Sequence, residues 1–420
     1  MRMNKKKEIV PKLRFPEFIG DKLKITKLGK ISSVVKEKAG ENKYTLMSVT
    51  SGVGLIPQTE KFGREIAGDS YKNYIVIRKY DFAYNKSATK QFPEGYISML
   101  GEYDIAAVPN SIFTCFRITG NESYPPFFDY LWHNNYHGHW LRKYIEVGAR
   151  AHGALSVDTI HLWSMPLALP DFKEQQKIAD CLSSIDELID AESRKLKALE
   201  KYKKGLMQKL FPAEGKTLPE WRFPEFQGCG EWKYEEIGNI GKVITGKTPS
   251  TSDAALWDGD IQFVTPTDIT ENKYQHHTQR TVVKTPKMKV LPKHTIMFTC
   301  IASIGKMALS LYPCITNQQI NSIVPKSCYN NEFIYYSLLQ KTFLIKAGFA
   351  NSTLPIINKT DFSKIQVPVI LDKKEQQKIA ECLSEADTMI EEQSNKVEQL
   401  KAHKKGLMQG LFPSLEEADV

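Results

Sequence analysis

The chain has 420 residues, 41% of them hydrophobic and 25% charged, which suits a globular protein of two or more domains, each with its own core. Its 57 Lys and Arg outnumber its 48 Asp and Glu, for a formal net charge of +9; this mild basic excess fits an anionic partner without requiring one. The seven cysteines include no Cys-x-x-Cys pair, which argues against a disulfide framework or a zinc ribbon and for reduced, buried thiols in a cytoplasmic protein.

Met1 to Lys7 is basic, but Pro11 and Lys12 interrupt the apolar residues Ile9, Val10 and Leu13. No signal-peptide core is expected, and no apolar run is long enough to span a bilayer. Arg14-Phe15-Pro16-Glu17-Phe18 follows and returns later at Arg222 to Phe226. Residues 20–170 mix β-branched and aromatic runs, such as Tyr74–Ile77 and Ser111–Phe116, with Gly, Asn and Pro turns. This predicts an α+β segment with a mostly irregular sheet and a helix over Phe127–Tyr144. Tyr124-Pro125-Pro126-Phe127 resembles the loop of adenine methyltransferases, but tyrosine replaces the residue that must accept the target's hydrogen bond. A proline turn starting a helix fits better. His133, His137 and His139 lack a Cys or carboxylate to complete a metal site and read as surface or groove histidines. Glu41-Asn42-Lys43 is an ordinary charged string.

Residues 174–209 contain no proline and one glycine, Gly205. Apolar positions step by four and three through Ile178, Leu182, Ile185, Ile189, Leu196, Leu199 and Leu206, broken by Glu192 and Lys203. Such a seam predicts a coiled-coil helix about 54 Å long, with polar residues that fix register and partner choice. Packing of the helix on its own domain is the plainer alternative. Pro212, Gly215 and Pro219 end it.

The second half opens at Arg222. Residues 228–370 repeat the α+β style, with strand runs Ile261–Val264 and Thr295–Phe298 and a helix over Glu332–Lys346. Gly241-Lys242-Val243-Ile244-Thr245-Gly246-Lys247-Thr248 fits the GxxxxGK[ST] phosphate-loop pattern. That pattern needs a buried strand before it and a helix starting at the lysine. Pro249 and the polar run Ser250–Asp253 deny it the helix. The second long helix then keeps the seam in register through Ile379, Leu383, Ile390, Val397, Leu400 and Leu407, with Gln393 and Lys404 at the polar breaks. From Lys173 to Pro212 the chain matches Lys374 to Pro413 at 24 of 40 positions, at an offset of 201 residues. Between the repeated ends the halves look unrelated. The frame is duplicated while its contents have diverged, as expected if each half docks alike but recognises something different.

Several loops combine basic and amide residues with turn formers. In the first half they hold Lys36, Lys38, Asn85, Lys86, Ser87, Lys90, Arg150 and His152. In the second they hold Lys247, Thr248, Ser250, Ser303, Lys306, Asn317, Gln318, Asn351 and Ser352. Asn and Gln can bind adenine edges, and Arg or Lys binds guanine. Lys, Ser and Thr suit phosphates. An ordinary solvated loop accounts for any one of them equally well.

The chain resembles the specificity subunit of type I restriction–modification enzymes. The resemblance rests on Pro166–Leu182 and Pro368–Leu383, each with a Glu-Gln-Gln-Lys-Ile-Ala run, and on Lys-Lys-Gly-Leu-Met-Gln at 203–208 and 404–409. The Gly-Lys-Thr-Pro-Ser loop followed by Trp257-Asp258-Gly259-Asp260-Ile261 adds to it. Pro170 has no counterpart before the second helix, where Leu371-Asp372-Lys373 stands instead. The resemblance implies target recognition domains at 1–165 and 213–370 and helical spacers at 166–212 and 371–420. The two helices would pair as an antiparallel coiled coil in a pseudo-twofold duplication. It implies a non-catalytic subunit that reads a bipartite site in double-stranded DNA, one domain per half-site. Two modification subunits would bind S-adenosylmethionine and methylate adenine, and two restriction subunits would use ATP and Mg, leaving no cofactor and no metal for this chain. A coiled-coil scaffold joining protein partners without DNA is the alternative. Half-sites on one face of B-DNA lie about 34–36 Å apart, within the span of such helices.

Overall fold

The computed structural model describes residues 10–145, 158–286, 288–301, 304–349 and 356–413. The α+β class is as expected. The chain forms two compact units, one of residues up to Ala191 together with those from Glu398 on, the other of Glu192–Val397. Each long helix, Phe172–Leu210 and Lys373–Leu411, is therefore shared. Its first half belongs with its own globular segment and its second half with the other, so packing divides both linear spacers.

In the first unit, strand Lys24–Lys27 pairs antiparallel with Pro166–Leu169, joining the start of the segment to its end. A short helix, Leu28–Ile31, leads into a four-stranded antiparallel sheet. Its order is Ser32–Val34, Phe113–Ile118, Asp81–Asn85, Tyr96–Met99. Asp81–Asn85 is buried at every position, so its Phe-Ala-Tyr core shows no alternation. One sheet face packs on the pairs Met47–Thr50 with Gly54–Pro57 and Ile75–Arg78 with Ile105–Val108. The other packs on helices. The single helix expected over Phe127–Tyr144 is broken into Pro125–His133 and Tyr136–Leu141. Asn135 takes a left-handed φ of 57° at the break, a conformation asparagine tolerates better than most residues.

The second unit repeats the plan. Lys233–Glu236 pairs antiparallel with Gln366–Val369, and Ile237–Ile240 is the short helix. The sheet runs Gly241–Thr245, Ile320–Pro325, Ile296–Thr299, Met307–Ser310, then Tyr274–Gln275. The first four strands match the order of the first unit, although the sequences between the repeated ends look unrelated. A smaller sheet adds Arg280–Val282, Trp257–Val264 and Cys314–Thr316. Both sheets are more regular than the turn-rich sequence suggests.

The duplicated motifs turn out to be clamps. Asp171 and Asp372 accept the Glu174 and Glu375 amides at 2.8 and 3.0 Å, capping equivalent starts of the two helices. The missing second proline therefore leaves the register intact. Glu174 is buried and takes both nitrogens of an Arg14 fork, at 2.7 and 2.6 Å. Glu375 does the same with Arg222, at 2.8 and 2.7 Å. Gln175 accepts from Tyr124 N and donates to Pro170 O; Gln376 accepts from Asn330 N and donates to Ile370 O. Each glutamine thus holds the chain just ahead of its segment's large helix.

The arginine motifs also reach the far ends of the helices. Leu13 N donates to Gly410 O, and Trp221 N donates to Lys209 O, both at 2.9 Å. Each motif straps the start of one long helix to the end of the other. At those ends, Met408, Leu411 and Phe412 enter the first core, where Phe412 lies 5.3 Å from the Phe127 ring. Met207, Leu210 and Phe211 enter the second, where Phe211 meets Trp232 and Phe333 at 5.6 and 5.7 Å.

In the second unit the helix segments run antiparallel: Gln393 donates to Glu192 Oε2 at 2.6 Å, while Lys203 pairs with Asp387. In the first unit Lys404 pairs with Asp186 at 2.6 Å. Tyr130 and Tyr336 donate to these same aspartates, at 2.9 and 2.5 Å. The polar seam residues are thus paired, not merely tolerated. Among the apolar ones, Ile178, Leu182, Ile379, Leu383 and Val397 are buried; Ile185, Ile189, Leu196, Leu199, Leu206, Ile390, Leu400 and Leu407 are half-buried.

Two expectations are corrected. His137 is a core residue, not a groove histidine: its Nε2 lies 3.3 Å from Gly95 O, and burial lowers its pKa to about 4. All seven cysteines are free, but only Cys115, Cys300 and Cys314 are buried, while Cys328 is exposed. No described helix is long and apolar enough to cross a membrane.

Candidate nucleic-acid interface

Topology gathers the candidate residues. In the first sheet, Ser32–Val34 and Asp81–Asn85 both run antiparallel to Phe113–Ile118, so they run parallel to each other. Their C-terminal ends lie at the same end of the sheet. Lys36 and Lys38 follow one strand; Asn85 ends the other, and Lys86, Ser87 and Lys90 follow it. In the second sheet, Gly241–Thr245 and Ile296–Thr299 both run antiparallel to Ile320–Pro325. Lys247, Thr248 and Ser250 follow the first strand, Lys306 lies in the hairpin after the second, and Asn317 and Gln318 precede the third. Equivalent sheet ends therefore carry candidates in both units.

The geometry is tightest in the second unit. Lys247 N donates to Thr316 O at 2.8 Å, and Thr248 Oγ1 donates to Gln318 Oε1 at 2.7 Å. Asn317 N donates to Val264 O at 3.0 Å. Gly246 fits because a Cβ there would strike the Thr316 and Asn317 carbonyl oxygens. Asp268 accepts from Thr265 N at 2.8 Å and from Gln279 N at 2.9 Å, tying two more loops to this end. Trp257 Nε1 donates to Ser250 O at 3.0 Å, and Arg280 stacks on the indole. Lys247 is exposed, and among the described residues no carboxylate pairs with it. The surface offers cations, amides and hydroxyls, the groups that meet phosphates and base edges.

Other candidates fare differently. Lys306 N donates to Thr299 Oγ1 at 3.0 Å in a hairpin turned at Gly305. Asn85 is buried, its Oδ1 accepting from Ser87 N at 3.0 Å, so it shapes the hairpin from inside. Lys36 and Lys38 are exposed, and Lys38 Nζ reaches Asn73 Oδ1 at 3.4 Å. Arg150, His152, Ser303, Asn351 and Ser352 lie outside the described residues. Sequence reasoning did not single out Arg280 or Gln279.

The phosphate-loop pattern is not a phosphate loop. Gly241–Thr245 is itself a strand, and no helix begins at Lys247. Among the described residues no three His, Cys, Asp or Glu side chains are grouped to hold a metal.

Comparison with known proteins fits this organisation. Residues 230–402 match the type I restriction modification DNA specificity domain. The MjaIX specificity subunit of a type I restriction enzyme from Methanocaldococcus jannaschii is 33% identical over 41% of this chain and 41% of its own length. The MjaX specificity subunit of the same organism, itself named as putative, is 28% identical over 63% of this chain and 62% of its length. The chain thus spans about two fifths to three fifths of these relatives. The solved S subunit of a type I restriction–modification system from M. genitalium shares the fold, with a TM-score of 0.60 at 17% identity over 97% of this chain and all of that one.

Proposed function

We propose, from the match of residues 230–402 to the type I restriction modification DNA specificity domain, that the chain is the subunit that selects the DNA site. Each globular segment would read one half of a bipartite site in double-stranded DNA, and the paired helices, as a coiled coil, would set the spacer between halves. The chain would carry no chemistry. Partner modification subunits, two in number, would supply S-adenosylmethionine and methylate adenine; two restriction subunits would supply ATP and Mg-dependent cleavage. The work would take place in the cytoplasm. One observation carries this reading: two sheets of the same strand order, on duplicated helical clamps, bring unlike polar and basic loops to equivalent ends. A shared mount with different tips is what reading two different half-sites requires.

The test is selection from a randomised double-stranded DNA library by the chain with its modification subunits, over a series of salt concentrations. The expected result is a split site whose affinity falls steeply with salt. Inserting seven residues in one long helix should change the preferred spacer and leave both half-sites unchanged. Absence of sequence selection and of salt dependence would favour a protein scaffold.

A further inference from the structure

Arg280 begins the strand Arg280–Val282 and is exposed. Its guanidinium carbon lies 3.5 Å from the centre of the Trp257 ring. That ring is held from two sides: its Nε1 donates to Ser250 O at 3.0 Å, and it meets the Phe263 ring edge-on at 5.2 Å. The backbone beneath Arg280 is held too, because Thr278 Oγ1 donates to Arg280 O at 2.7 Å and Gln279 N to Asp268 at 2.9 Å.

Five other arginines are paired within the chain, whereas Arg64 and Arg194, like Arg280, form no ion pair among the described residues. Arg14, Arg78, Arg117, Arg142 and Arg222 each pair with a carboxylate. Among the described residues none pairs with Arg280. Its plane is fixed by stacking while its N–H edge is left for another acceptor. An arginine held flat has little side-chain freedom left to lose on binding, and its fork matches two acceptors on one planar edge. Arg280 pairs with Phe263, whose strand is flanked on its other side by Cys314–Thr316 leading into Asn317 and Gln318, and Trp257 is tied to Ser250 in the loop of Lys247 and Thr248.

Building on the DNA-reading role proposed above, we propose that Arg280, stacked on Trp257, is a specificity-determining residue of the second unit that donates two hydrogen bonds to one guanine of its half-site. Guanine presents O6 and N7 side by side in the major groove, the acceptor spacing the guanidinium fork fits. Trp257 is a positioning residue that keeps the fork in plane.

The test compares the wild-type chain with Arg280→Lys and Arg280→Ala, each in complex with its modification subunits, by selection from a randomised double-stranded DNA library. Arg280→Lys keeps the charge and loses the fork. The expected result is that both variants lose a guanine requirement at one position of one half-site, by about tenfold to a hundredfold in discrimination. The other half-site should keep its base profile, which also shows that the variants fold. An unchanged base profile in both variants would overturn the proposal and leave Arg280 as a cover for Trp257. Equal weakening across all sequences by Arg280→Ala, with Arg280→Lys unaffected, would overturn it in favour of a phosphate contact. If the wild-type chain itself selects no sequence, the DNA-reading role fails and this proposal with it.

Discussion

The helical clamps and the sheets they carry have preserved different things. From Lys173 to Pro212 and from Lys374 to Pro413 the residues themselves repeat, 24 in 40. In the sheets only the order of strands repeats. Buried ion pairs and forked hydrogen bonds demand particular atoms at particular places: Glu174 and Glu375 cannot change without stranding Arg14 and Arg222. A sheet core asks only for apolar volume with the right periodicity, which many sequences supply. The parts that must fit one geometry are frozen, and the parts whose tips must differ are free.

That contrast can be broken at several points. The largest expected effect is from Phe412→Ala and Phe211→Ala, each removing a fully buried ring, at about 3–5 kcal/mol of unfolding free energy. The effects should cross over: hydrogen exchange should rise in the first globular segment for Phe412→Ala and in the second for Phe211→Ala. Loosening of each variant's sequence-adjacent segment alone would contradict shared helices. Next come Arg14→Met and Arg222→Met, each leaving a buried carboxylate unpaired, at about 3 kcal/mol. If the straps act as described, Arg14→Met should speed amide exchange over 404–411 and Arg222→Met over 203–210. Effects confined to the helix starts would show that the straps do not reach across.

His137 sharpens the comparison by its lack of symmetry, since the second unit's large helix, Asn331–Phe349, contains no histidine. Burial holds its folded pKa near 4, below the unfolded value of about 6.5. The unfolded chain therefore takes up the proton first as pH falls. The stability from neutral His137 is complete above about pH 6.5 and drains away toward pH 4, at up to about 1.4 kcal/mol per pH unit. Chemical unfolding between those limits should show this slope, and His137→Gln should flatten it; an unaltered slope would mean other groups carry it. The smallest effect is that of Lys247→Ala. It should leave melting unchanged while reducing the slope of log affinity against log salt by about 1, if Lys247 meets a phosphate.

How much of this could be read from the residues varies with the kind of signal. The first long helix was legible to within two residues, because a heptad seam and a terminal proline are local signals, and the second followed from the repeat without a fixed start. The repeated Arg-Phe-Pro-Glu-Phe was visible but its purpose was not, since Arg14 and Glu174 are 160 residues apart. The break at Asn135 falls within His133-Asn134-Asn135-Tyr136-His137-Gly138-His139, read as one continuous helix, which is why His137 looked like a groove residue. The loops at 246–250 and 316–319 were singled out separately. That Thr248 touches Gln318 depends on sheet order, which apolar periodicity does not encode. Arg280 was invisible because its importance comes from Trp257, 23 residues earlier, and from its having no carboxylate partner among the described residues.

The shared helices also set a timetable. The first core contains Met408, Leu411 and Phe412, so the first globular segment cannot finish packing when its own helix leaves the ribosome. It must wait for about 200 further residues, on the order of 10–40 s of synthesis. During that interval the surface that will receive Phe412 faces water or a chaperone, and a stretch made about 200 residues later completes the first globular segment.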